Sequence, residues 1–287
     1  MSPRSSSPFR IRRMLSVLLG SVALTACALP LNQPDIRLYV FDCGNILARD
    51  VSVFSPGVDQ GQTKELTNSC YLIRHPAGDL VWDAGLPDSL GTAGTDAMNG
   101  SFHVSVSHPF AQQLAELQVN PASVRYLGIS HFHFDHIGNA NLFTGASLLI
   151  QEEEYKGAFG ADPAKAGYDV SQYNKLDRNK IQQLKGDHDV FGDGRVVIKK
   201  AVGHTPGHQV LFLDLPKTGP IVLSGDLYHF TKNREFRRVP SFNYNKEQTE
   251  HSMEAIESFA QEKGAQFWIQ HDKEQNEGIR HSPAFYQ

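Results

Sequence analysis

The chain has 287 residues, 40% hydrophobic and 20% charged, with a formal net charge of −4. That composition suits one globular domain with a sizeable core, and it is neither disordered nor collagen-like. An acidic balance, with no basic patch and no basic run interleaved with aromatics, excludes nucleic acid as the substrate.

At the N-terminus, Arg4, Arg10, Arg12 and Arg13 precede an uncharged stretch from Met14 to Ala26. This is the layout of an export signal, too short to rest comfortably as a membrane span. Its end, Leu24-Thr25-Ala26-Cys27, resembles the lipobox of bacterial lipoproteins. The resemblance implies a signal peptide over residues 1–26, cleavage before Cys27 and lipidation of Cys27. The protein is then expected to be exported and held at a membrane only through that lipid. Ala28 stands where aspartate is associated with inner-membrane retention, so in a Gram-negative cell the expected location is the outer membrane, facing the periplasm. Cleavage would remove four arginines and no acid, taking the formal charge from −4 to −8. Residues 27–35, with Pro30 and Pro34, read as a tether, and the folded domain is expected over 36–287. In an oxidising compartment Cys43 and Cys70 could pair, but Asn68 to Ile73 reads as a core strand in which a free Cys70 packs as a small apolar residue.

Apolar and β-branched runs at 36–41, 69–74 and 79–82, separated by Gly, Pro and Asp turns, predict a meander of strands. Phe110, Leu114 and Leu117 recur at helical spacing behind Pro109, predicting a helix over 109–119. A β-rich run at 124–130 follows, then a strand at 147–150, a helix from about 151, and a polar helix near 174–185 marked by Leu176, Ile181 and Leu184. Further strands are expected at 195–201, 209–214, 221–224 and 266–270. Met253, Ile256 and Phe259 share one face of a helix over 246–262. Two groups of strands interleaved with helices imply two helix-covered sheets, although the pattern alone does not separate these from a single doubly wound sheet.

The segment His131-Phe132-His133-Phe134-Asp135-His136 follows the 124–130 strand and packs three imidazoles and a carboxylate into six residues. His131 and His133, two apart on an extended segment, project to one side and can grip one ion, while Asp135 and His136 lie beyond the turn and can grip a neighbour. Histidine and carboxylate suit borderline divalent metals, and the cysteine-rich spacing of structural zinc modules is missing, so a catalytic site is expected. Two ions need more than four ligands. Later strands end in Gly203-His204-Thr205-Pro206-Gly207-His208, Ser224-Gly225-Asp226 and Gln270-His271-Asp272.

With these segments the chain resembles the metallo-β-lactamase superfamily over about residues 36–275. The resemblance implies a single-domain αββα sandwich, class α/β, with two divalent metal ions, zinc being the expected species. One ion is implied at His131, His133 and His204 and a second at Asp135, His136 and His271, with Asp226 bridging them. Trp82-Asp83-Ala84-Gly85 resembles the family segment whose aspartate orients a ligand histidine, which gives Asp83 that role. The first histidine of the G-H-T-P-G-H turn is the ligand in the family, so His208 is read as a structural histidine beside the site.

Two close divalent ions lower the pKa of a water bridging them enough to supply hydroxide at neutral pH, so the reaction class is hydrolysis. Asp135 is the expected proton shuttle. Phe132 and Phe134 within the cluster, Gly203 to Gln209, His271-Asp272 with Glu274-Gln275, Asn68 to Leu72 and Leu80 to Pro87 look most like the N-acyl homoserine lactone lactonases, the quorum-quenching enzymes. A small ester or lactone with an apolar tail is therefore the expected substrate, with a phosphotriester or another ester the alternative and a β-lactam less favoured. Phe102, Phe110, Phe230 and Phe242 are candidates to line the tail pocket. Known lactonases of this branch carry a tyrosine three residues after the bridging aspartate. Here Tyr228 stands at two and His229 at three, and either could donate to the substrate carbonyl. No feature of the pattern sets an oligomeric state, and a dimer is compatible with it.

Overall fold

The computed structural model describes residue 1 and residues 35–287. The export signal, Cys27 and the tether up to residue 34 lie outside the described residues. The strands are β1 (Arg37–Ala48), β2 (Lys64–His75), β3 (Gly78–Trp82), β4 (Thr95–Ala97), β5 (Phe102–Ser105), β6 (Tyr126–Gly128), β7 (Ser147–Gln151), β8 (Ile181–Leu184), β9 (His188–Asp189), β10 (Val196–Lys200), β11 (Gln209–Leu215), β12 (Gly219–Leu223) and β13 (Gln266–Trp268). The helices are α1 (Phe110–Glu116), α2 (Phe134–Ile137), α3 (Glu152–Ala158), α4 (Thr231–Glu235), α5 (Lys246–Lys263) and α6 (Lys273–Asn276). Eight strands form one sheet in the order β4-β5-β1-β2-β3-β6-β7-β8, and five form a second in the order β13-β12-β11-β10-β9.

Period-two alternation within strands that are apolar on both faces explains the layering. In β1, Leu38 and Val40 face the second sheet, while Tyr39 and Phe41 face outward under α1. In β11, Leu211 and Leu213 face the first sheet, whereas Val210 and Phe212 meet Met253, Ile256 and Ala260 of α5. Each sheet thus has one face on the shared core and one under helices, and the layers are αββα. Asn245 caps α5, accepting from Gln248 N at 2.9 Å, and Gly264 ends it in the left-handed conformation at φ 62°.

Within the first sheet β3, β6, β7 and β8 run parallel, and in the second β12 pairs parallel with β13. The C-terminal ends of β3, β6, β10, β12 and β13 therefore deliver the segments starting at Asp83, Ile129, Ala201, Ser224 and Ile269 to the functional edge, the usual place for chemistry in α/β sheets.

Two expectations fail. The polar helix near 174–185 is instead a helical turn over Arg178–Lys180 followed by edge strand β8, which pairs parallel with β7. Leu176 and Leu184 enter different cores, a division that one amphipathic helix face cannot make. Cys70 is also not free, because it bonds to Cys43 with Cα atoms 5.8 Å apart. The register of β1 against β2 shifts between Asp42 and Asn45, and this irregularity brings Cys43 beside its partner. Closing a sequence separation of 27 residues stabilises the fold by about 3.5 kcal/mol on loop-closure entropy. Among the described residues no helix is long and apolar enough to cross a membrane.

Candidate metal centre

Behind β6 the chain is extended through His133 and then turns into α2, so His131 and His133 present their rings together before the turn. His131 Nε2 lies 2.9 Å from His133 Nδ1, and His204 Nε2 lies 3.1 Å and 3.0 Å from these two atoms. Ligands about 2.0 to 2.1 Å from a tetrahedral zinc lie about 3.3 Å apart, so this triangle of nitrogens, buried but for His133 at the cavity, has nearly the size one ion requires. Asp135, His136 and His271 form a second group, and in both groups the ligand atoms lie within 4.8 Å of one another.

Three of the five rings are oriented through their other nitrogen. His136 Nδ1 donates to Asp83 Oδ2 at 2.9 Å, His271 Nδ1 to the Thr67 carbonyl at 2.9 Å, and His204 Nδ1 to Asn243 Oδ1 at 2.9 Å. This is how proteins leave the opposite nitrogen free for a metal. Asp83, fully buried, also accepts from Ser130 N at 2.6 Å and Ser130 Oγ at 2.8 Å. Its φ of 58° is one that aspartate tolerates better than most residues.

Asp226 joins the two groups. Its Oδ2 lies 3.2 Å from His204 Nε2, and its Oδ1 lies 2.9 Å from His271 Nε2 and 3.2 Å from His136 Nε2. Buried Oδ1 nevertheless lacks an aligned hydrogen bond, as suits an oxygen aimed at an ion that those rings share. His208 ligates nothing. Its Nδ1 donates to the Ala201 carbonyl at 2.8 Å and its Nε2 accepts from Asp226 N at 2.9 Å, so it fixes the backbone of the bridging residue. Burial pushes its pKa down to about 3, keeping it in that neutral form. Gly225 makes the approach possible, since at φ 48° a Cβ would lie 2.8 Å from His208 Nε2.

The electrostatics differ between the groups. Burial, and then neighbouring imidazoles, hold His131 and His133 well below the usual histidine range, ready as neutral ligands. Burial also opposes charge on His136, but Asp226, Asp135 and Asp83 together raise it well above that range. The surrounding histidines overcome the effect of burial on Asp226 and hold its carboxyl well below the usual range. The first group thus offers neutral imidazoles beside an ionised carboxylate, whereas in the second the raised His136 and His271 must give up a proton when an ion binds.

Above the centre opens a cavity of about 350 Å³. Ile46, Phe54, Leu66, Phe102, Phe134 and Phe242 line its walls, while His133, Asp135, Asp226, His229 and His271 reach it from the centre. Two of the four phenylalanines expected there are present, Phe102 and Phe242. Phe110 instead packs on Phe41 in the core beneath α1, and Phe230 lies behind the wall, edge-on to Phe54. Tyr228 is also displaced from its expected role. Its ring enters the α5 core against Phe267, whereas His229 faces the cavity with Nε2 3.1 Å from Asp226 Oδ2.

Several contributors were not singled out in the sequence. Thr67 orients its histidine through a backbone carbonyl, which carries no residue signature. Asn243 lies between α4 and α5 with no spacing to mark it. Asn68 donates to the Asp135 carbonyl at 2.6 Å, and although its segment was matched to the lactonases, this role was not read.

Comparisons agree with this geometry. The family model for the metallo-beta-lactamase superfamily matches residues 63–263. N-acyl homoserine lactonase AttM of Azorhizobium caulinodans is 28% identical over 262 residues, 88% of this chain and 99% of that protein. N-acyl homoserine lactonase AiiA of Bacillus thuringiensis subsp. kurstaki is 25% identical over 259 residues, covering 87% and 98%. The crystal structure of a B. thuringiensis AiiA mutant with N-decanoyl-L-homoserine bound at the active site superposes at a TM-score of 0.77 and 23% identity, covering 88% of this chain and 99% of that one. The αββα layering is therefore shared over nearly the whole described domain. The family match spans most of the chain, including six of the seven ligands that the strand ends assemble, and this protein belongs to the metallo-beta-lactamase superfamily.

Proposed function

We propose that the protein is a binuclear zinc hydrolase that opens the lactone ring of N-acyl homoserine lactones. The observation that carries this reading is Asp226, whose two oxygens face separate ligand groups directly beneath an apolar cavity. Two divalent ions held there would supply hydroxide at neutral pH and polarise the ester carbonyl. The protein's own residues do the rest. The phenylalanine-lined walls hold an acyl tail and exclude water from the ester. His229, kept below its ordinary pKa chiefly by burial, is neutral and brings an N–H to the reacting ester beside Asp226. Asp135 turns Oδ2 toward His136 and His271, which leaves Oδ1 to pass a proton to the leaving oxygen.

The test combines metal analysis with a panel of N-acyl homoserine lactones of increasing acyl length, run beside paraoxon and nitrocefin. About two ions per chain and ring opening are expected, with kcat/KM rising about fourfold per added methylene until the cavity is full, as about 0.8 kcal/mol per buried CH₂ requires. Cleavage of paraoxon or nitrocefin alone would reject the lactonase. Export and lipid attachment at Cys27 belong to the same proposal, supported by Leu24 to Cys27, and the mass of the mature N-terminal peptide is their check.

A further inference from the structure

We propose that Glu154 is a positioning residue, a buried carboxylate clamp that joins the His131/His133 loop to the His204 turn and so sets the spacing of the three-histidine site. Glu154 lies in the first turn of α3, 1% exposed, and touches no metal ligand side chain. Its Oε1 accepts from Phe132 N at 2.8 Å and from the Tyr168 hydroxyl at 2.8 Å. Its Oε2 accepts from Thr205 Oγ1 at 2.8 Å and from Gly207 N at 3.0 Å. Phe132 is the residue between His131 and His133, Thr205 follows His204, and Gly207 precedes His208. One carboxylate thus holds both backbone segments that carry the three imidazoles.

The turn rests directly on α3. A Cβ on Gly207 would lie 2.4 Å from Glu154 N, so any other residue would lift the His204 turn off the helix. The second ligand group is anchored elsewhere, through Asp83, Thr67 and Asn68. Losing the clamp should therefore weaken one site and spare the other.

The clamp needs an oxygen on each arm, and although burial raises the carboxyl's pKa, all four donors oppose that rise. Each Oε atom meets one hydroxyl, which can turn, and one backbone N–H, which cannot. An amide in either orientation points its NH₂ at a fixed N–H donor, so glutamine keeps the shape and loses the clamp.

The inference rests on the two-ion reading, and metal titration separates the two. Metal-free wild type, Glu154→Gln and Thr205→Val are titrated with Zn²⁺ against a chromophoric chelator, with His204→Ala and His271→Ala giving the curves for loss of the first and second site. Glu154→Gln is expected to bind the first-site ion roughly 10- to 100-fold more weakly, the range for partners that orient ligands, and to keep the second within about twofold. Thr205→Val, which removes one hydroxyl and leaves the carboxylate, should show a smaller loss at the same site with a thermal midpoint lowered by only a few degrees. Wild-type titration by Glu154→Gln, equal weakening of both sites, or a Thr205→Val curve matching wild type would overturn the proposal. If Glu154→Gln does not fold, Thr205→Val decides. Wild type binding fewer than two ions would instead reject the metal reading.

Discussion

Replacing Asp226 with alanine is expected to abolish turnover, lowering kcat/KM at least about a thousandfold, equivalent to about 4 kcal/mol of barrier. Three features make this the largest single effect. The carboxylate alone faces both ligand groups, with Oδ2 toward His204 and Oδ1 toward His271 and His136. It is also one of the three carboxylates that raise His136, so its loss changes the charge balance as well as the geometry. Finally, its backbone is held by His208 whatever its side chain, so alanine removes the bridge without freeing the turn. Metal content should fall from about two ions toward one. Asp226→Asn, with one oxygen in place of two, should retain only one strong position. Alanine variants that hold two ions and turn over within tenfold of wild type would show that the bridge lies elsewhere.

The second large effect is expected at His229. Substituting phenylalanine keeps the ring volume and removes the N–H nearest the reacting ester, and the loss of one such donor costs on the order of a hundredfold in kcat. Tyr228→Phe is the contrast. Its hydroxyl lies in the α5 core, where burial and then Glu257 raise its pKa, and it does not reach the cavity. That variant should keep wild-type kcat and KM and change stability by at most about 1 kcal/mol, because the buried hydroxyl has no aligned hydrogen-bond partner to lose. Steady-state lactone kinetics and a thermal melt of both variants make the comparison. A hundredfold loss in Tyr228→Phe with none in His229→Phe would reverse the assignment.

The metal site was legible wherever its signal was local. His131 to His136 is contiguous, and His204, Asp226 and His271 each follow an apolar run with a polar ligand type, which marked them as candidates that the family resemblance joined into one set. Strands buried on both faces and helices apolar on one were legible from their different periods, but their division into two sheets came only with the family resemblance. Groups that act through backbone contacts across the fold were not legible. Thr67 works by its carbonyl, and Glu154 stood in an acidic run, Glu152 to Glu154, with nothing in the sequence to separate it from its two more exposed neighbours. The β8 segment was misread because three apolar residues met helical spacing by coincidence, and the disulfide was left open because a strand irregularity has no residue signature.

Tyr228 and His229 mark the boundary most clearly. A helical turn over Gly225–Leu227 is followed by extended backbone at Tyr228, φ −141° and ψ 146°. Adjacent side chains on extended backbone point to opposite sides, so one of the two had to enter the core and the other the site. The sequence alone supplied candidate ligand types at strand ends, in an order that resembles the metallo-β-lactamase superfamily, since residue type and strand periodicity are local properties. Tertiary structure decided which oxygen of Asp226 meets which group, that His229 and not Tyr228 faces the cavity, and that Glu154 ties two ligand segments together. Each of these depends on the relative placement of segments tens of residues apart, which only the packing of the two sheets sets.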